Sequence, residues 1–102
     1  MVTHRAVTAM LQLLPTSAGG KSIALRSGYR GLIAFDGSSD VFGFQVELLS
    51  TSELAPGASG TAKVLFWAGH LLPELSAGMT FEIRDGIKPV GSGKIIDVLP
   101  SV

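Results

Sequence analysis

The stretch that most constrains the fold is Gly78-Met79-Thr80-Phe81-Glu82-Ile83-Arg84-Asp85-Gly86-Ile87-Lys88-Pro89-Val90-Gly91-Ser92-Gly93-Lys94-Ile95-Ile96-Asp97-Val98-Leu99. Phe81 and Ile83 alternate with Glu82 and Arg84, the period of a strand with one buried face. Asp85-Gly86 is a turn signal, and a second β-rich run follows it. That run carries Gly91 and Gly93, which suit a sharply bent barrel strand or a close strand contact that a Cβ would obstruct. A long helix through this region is excluded by the pattern, and a β-hairpin is predicted.

The rest of the chain repeats the theme. Val7 to Leu14 reads as a first strand and Pro15 to Gly20 as a loop. Gly28-Tyr29-Arg30-Gly31 opens a second strand that runs from Leu32 to Phe35, and Asp36 to Asp40 turns the chain. Phe42 to Leu49 is a third strand, with Phe42, Phe44, Val46 and Leu48 on one face. Ala55 to Gly60 is a turn. Thr61 to Ala68 is a fourth strand, with Ala62, Val64 and Phe66 opposite Lys63, Leu65 and Trp67. Leu71 to Leu75 reads as a connector with room for one helical turn. No segment sustains apolar residues at helical spacing. Six strands with short turns predict an all-β chain, a six-stranded antiparallel β-barrel, because closure removes exposed edges. The predicted inward set includes Leu11, Phe44, Val46, Val64, Phe66, Phe81, Ile83 and Ile96.

Composition narrows the function classes. The 102 residues are read as a single domain, 1–102, with 46% hydrophobic residues, enough to close one core. There are no cysteines, which excludes disulfides, zinc thiolates and thiol catalysis. No secretory signal and no membrane-length apolar run is visible, so a cytoplasmic protein with no membrane role is expected. Formal net charge is zero, yet every acidic residue lies at or after Asp36. Arg5, Lys21, Arg26 and Arg30 precede it, with His4. This asymmetry marks Lys21, Arg26, Tyr29 and Arg30 as a candidate anion or RNA patch with one aromatic for stacking.

Chemistry-bearing motifs are few. Gly20-Lys21-Ser22 imitates the end of a phosphate-binding loop, but the pattern needs a Gly where this chain has Pro15, and then a helix. Gly93-Lys94 fails likewise, with Lys88 at the first position and Ile95 after it. No nucleotide, metal or other cofactor is expected. His4 and His70 stand at no metal-ligand spacing, and no nucleophile elbow exists. Asp36 and Asp40 fit turn hydrogen bonding. An enzymatic role is therefore not predicted. Trp67 follows Phe66, which puts one ring in the core and one outside. With Leu65 it forms an apolar outer strip of the kind that marks partner surfaces, unless the following connector covers it.

The order of these motifs resembles the C-terminal (third) β-barrel domain of translation elongation factor Tu. Gly78 through Gly93 is similar to that family's closing hairpin. Gly19-Gly20-Lys21 resembles its Gly-Gly-Arg loop, Gly28-Tyr29-Arg30 its Gly-Tyr-Arg-Pro motif, and Pro56-Gly57 its Pro-Gly turn. The resemblance implies a binding domain that, in the family, helps clamp aminoacyl-tRNA and contacts the GTPase domain. Lys21 keeps the family's positive charge, Ser22 replaces a His and Gly31 a Pro. Leu32 replaces a Gln of the family's tRNA surface, exchanging a donor for an apolar side chain suited to protein contact. The expectation is a non-catalytic module that docks a protein on Leu32, Leu65 and Trp67. RNA bound through the basic patch is the alternative. Gly28, Gly86, Gly91 and Gly93 are expected to serve structure.

Overall fold

Side-chain alternation in the sequence becomes strands that bury every second residue. The computed structural model describes residues 5–20, 23–67 and 72–100. Its strands are β1 (Arg5–Leu13), β2 (Leu25–Arg26), β3 (Arg30–Phe35), β4 (Phe42–Leu48), β5 (Glu53–Leu54), β6 (Ser59–Phe66), β7 (Thr80–Asp85) and β8 (Lys88–Val98). Six of them close an antiparallel barrel in the order β1-β6-β4-β3-β7-β8, and β8 returns to pair with β1. One 3-10 turn, Thr16–Ala18, is the only helical element among the described residues. It lies in the loop after Pro15, whereas the described part of the connector, 72–75, is not helical. Among the described residues no helix is long and apolar enough to cross a membrane.

The barrel interior is filled by Val7, Leu11, Ile33, Phe44, Val46, Val64, Phe66, Phe81 and Ile83, all buried. Phe35 anchors one end of this core. Its ring lies 5.9 Å from those of Phe42 and Phe66 and 6.0 Å from that of Phe81. Such tilted and edge-on pairs suit the aromatic quadrupole.

Seven of the eight predicted inward residues are buried, and Ile96 is the exception: it is 43% exposed, whereas Ile95 is 2% exposed. Alternation explains this: Gly91, Gly93 and Ile95 face inward, so Ile96 faces out. A bulge also falls here, since Ala9 pairs with Ile95 but Thr8 pairs with Asp97, which leaves Ile96 as the extra residue. A second bulge puts Val90 between the pairs Ile83↔Gly91 and Arg84↔Pro89. Both bulges fall in β8, where the barrel must bend to close.

Strands β2 and β5, two residues each, pair through Leu25↔Leu54 and Arg26↔Glu53. They lie outside the barrel ladder. Leu25 and Leu54 are nonetheless buried in the core cluster, so the short ladder caps one barrel end with two leucines. The β7–β8 turn is Gly86-Ile87, between the paired residues Asp85 and Lys88. Gly86 has φ +66°, at the position where a type II′ turn takes glycine.

Candidate functional site

The outer face of β3, β4 and β6 gathers the residues marked as a partner surface. Ala62, Val64 and Phe66 point inward, so Lys63, Leu65 and Trp67 point out. The register then sets their neighbours. Gln45 pairs with both Leu65 and Arg30, and Gly43 pairs with Leu32. Phe44↔Phe66 is the last pair of β4 and β6, and the Trp67 N–H continues that ladder at 3.5 Å from the Gly43 carbonyl oxygen. The outer surface thus carries two adjacent rows, Leu65-Gln45-Arg30 and Trp67-Gly43-Leu32.

Glycine at 43 makes room for the indole. A Cβ there would stand 3.8 Å from Trp67 Cδ1, so the ring leans over the bare backbone. Trp67 is 39% exposed, and the Arg30 guanidinium carbon sits 5.3 Å from its ring centroid. This is a cation–π pair on the protein surface. Arg30 makes no ion pair among the described residues, whereas Arg84, opposite Leu32, is held by Glu82 at 2.6 Å. The Gln45 Oε1 atom is shielded from solvent and has no hydrogen-bond partner among the described residues.

No family model and no curated protein matches this chain.

The candidate anion patch comes together only in part. Lys21 lies outside the described residues, as do Ser22, His4 and His70. Arg26 is bound to Glu53 at 2.7 Å, so its charge is offset. Tyr29 packs against Phe44 with ring centroids 6.1 Å apart, and burial, then the Asp85 carboxylate, raises its phenol above the usual tyrosine value. Arg26 and Tyr29 share the lining of a cavity of about 610 Å3 with Ile23, Ala24, Leu25 and Glu53. Arg30 faces Trp67 instead. After Gly20 the chain reaches strand β2 at Leu25, and the described residues 23–26 form no helix of the kind a phosphate loop feeds. Asp36 accepts a hydrogen bond from the Thr80 hydroxyl on β7, outside its own turn, and the Asp40 backbone N–H donates to Ser38 Oγ at 3.2 Å, so among the described residues these bonds give neither carboxylate the turn role expected of it.

The structural glycines have distinct reasons. Gly28 has φ +95° where β2 turns into β3. A Cβ on Gly91 would stand 2.7 Å from the Gln12 carbonyl oxygen, and one on Gly93 2.3 Å from Phe81 Cζ. Sequence reasoning missed Gly43, Gln45 and Glu53. Gly43 was visible as a glycine at an outward strand position, but its partner across β6 depends on register. Glu53 was hidden because a two-residue strand has no period to detect.

Proposed function

We propose that this chain is a non-catalytic binding module, similar in role to the third domain of elongation factor Tu, that docks a protein partner on its β3–β4–β6 face. The observation that carries this reading is the Trp67–Arg30 pair seated over Gly43 and flanked by Leu32 and Leu65. Tryptophan and arginine are the side chains that most often dominate protein interfaces. The arginine already stacked on the indole has lost part of its rotamer freedom before binding. A partner segment that brings an aliphatic or aromatic side chain to Trp67 and a carboxylate to Arg30 matches this chemistry. A donor from the same segment would satisfy Gln45 Oε1. Arg26 and Arg84 are bound to their own carboxylates, which favours protein over RNA, since RNA affinity is built mostly from cations that neutralise phosphates.

The test uses the immobilised full chain, Trp67→Ala, Arg30→Ala and a Lys94→Ala control, exposed to native extract. Retained protein is identified by mass spectrometry, retained RNA by sequencing, and the captured partner is then purified and titrated. Trp67→Ala should weaken the purified pair by about 2 kcal/mol or more, roughly 30-fold in Kd, and Lys94→Ala should not. A partner held equally by Trp67→Ala would refute the site. Transfer RNA held at physiological salt and released by Arg30→Ala would install the RNA reading instead.

A further inference from the structure

With no cysteine, the sulfur chemistry of this chain rests on three methionines. Met1 lies outside the described residues. Met10 points outward from β1, opposite Thr61 and Lys94, and is 43% exposed. Met79 is placed differently. It is half-buried, packs against the core cluster and ends the turn that leads into β7.

That turn is Ser76-Ala77-Gly78-Met79. Gly78 has φ +92°, at the position where a type II turn takes glycine. The Met79 N–H donates to the Ser76 carbonyl oxygen at 3.3 Å, and the Ser76 N–H donates back to Met79 Sδ at 3.2 Å. A thioether thus serves as the acceptor for a backbone donor. The turn is tied in its turn to β8. The Gly78 N–H donates to the Ile95 carbonyl oxygen and the Ile95 N–H to the Met79 carbonyl oxygen, each at 2.8 Å. Leu75, just before the turn, is buried. Met79 is therefore the clasp between the end of the connector and the barrel.

The clasp is open to small molecules, because Met79 lines a cavity of about 350 Å3 with Phe35, Phe42, Leu72 and Pro73. A hydroperoxide that enters it can oxidise the thioether. A sulfur lone pair forms the S–O bond and the O–O bond breaks. The proton on the transferred oxygen passes to the leaving oxygen, which departs as water or an alcohol. Sulfur gives up two electrons and the peroxide takes them, leaving methionine sulfoxide. The product does not fit the clasp. An N–H···O bond alone spans about 2.7–3.2 Å, so an oxygen attached to sulfur has no room between two atoms 3.2 Å apart. On the other lone pair the oxygen withdraws charge from the acceptor that Ser76 uses, and it makes polar a side chain packed against the core.

We propose that Met79 is an oxidation site of the folded chain, where a hydroperoxide forms the sulfoxide and so releases the Ser76–Met79 turn from the barrel end. Oxidation of Met10, already solvated, leaves the fold as it was. The release is reversible, because reductases specific for each sulfoxide epimer restore the thioether. It does not depend on the Trp67–Arg30 face.

The test treats the wild-type chain, Met10→Leu and Met79→Leu with hydrogen peroxide and locates the sulfoxides by peptide mass spectrometry. Thermal melts before treatment confirm that each variant folds. Met79 should convert within about tenfold of the rate of Met10, since susceptibility follows access. In oxidised Met10→Leu the melting temperature should fall by at least about 4 °C, and treatment with both reductases should restore it. Oxidised Met79→Leu should melt as before. In the wild-type chain, which needs no variant at the site, the Ser76 amide should exchange with solvent at least about tenfold faster after oxidation. A Met79 that stays reduced in the folded chain while Met10 is consumed would overturn the proposal. So would unchanged Ser76 exchange in the Met79 sulfoxide, or an equal fall in melting temperature in Met79→Leu.

Discussion

Gly93→Ala should destabilise the barrel through one identifiable collision. Gly93 faces Phe81 across the β7–β8 ladder, and Phe81 uses the space that a side chain would fill. A Cβ at Gly93 would stand 2.3 Å from Phe81 Cζ, 2.5 Å from Cε1 and 3.1 Å from Leu11 Cδ2. The first two are roughly an ångström short of the ~3.5–4.0 Å at which carbon atoms attract. The ring has no free direction of escape, being 1% exposed and held against the Phe35 ring at 6.0 Å. Overpacking of this kind costs about 1–3 kcal/mol. For a domain of this size each kcal/mol lowers Tm by about 4–8 °C, so the fall should be at least about 4 °C. The cause is separable from a general glycine effect. Phe81→Leu removes the colliding ring atoms, and Gly93→Ala placed in that background should cost less, with a coupling of about 0.5–3 kcal/mol. Gly91→Ala supplies the contrast: its Cβ meets the Gln12 carbonyl oxygen at 2.7 Å, which Phe81→Leu cannot relieve. Urea and thermal unfolding of these variants and wild type measure this. Gly93→Ala within about 0.5 kcal/mol of wild type, the ordinary range for exposed sites, would refute the reasoning, as would equal costs in both Phe81 backgrounds.

Two further outcomes follow from the same packing. Leu54→Ala should cost about 2–5 kcal/mol in urea unfolding, because Leu54 and its partner Leu25 close the barrel end; a loss below about 1 kcal/mol would show the short ladder to be ornamental. Raising the pH should reveal Tyr29: burial and Asp85 lift its phenol above 10.0, so the folded chain holds that proton more tightly than the unfolded chain. Its contribution is complete below about pH 10, is lost as pH rises through the higher folded value, and should vanish in Tyr29→Phe. The tyrosinate absorbance of the chain's single tyrosine checks this, and a folded-state midpoint at or below 10.0 would refute it.

The sequence alone determined the strands with strict alternation. Phe42, Phe44, Val46 and Leu48 announce a buried face in any antiparallel sheet, as do Ala62, Val64 and Phe66, because a period of two has only one geometric meaning. The same local rule placed Leu65 and Trp67 outside, and the Asp85-Gly86 signal put the last turn one residue before the observed Gly86-Ile87. What the tertiary structure decided depends on register, which no single strand encodes. Which of Ile95 and Ile96 faces inward follows from the register of β8 on β1, where Ile95 pairs with the buried Ala9 and Ile96 is the extra residue of a bulge. The neutralisation of Arg26 by Glu53 joins positions 27 residues apart through a ladder too short to carry a pattern. The seat of Trp67 over Gly43, beside Arg30, exists only because three strands align at one row. Local chemistry chose which side chains face out; the closing of the barrel chose which of them meet.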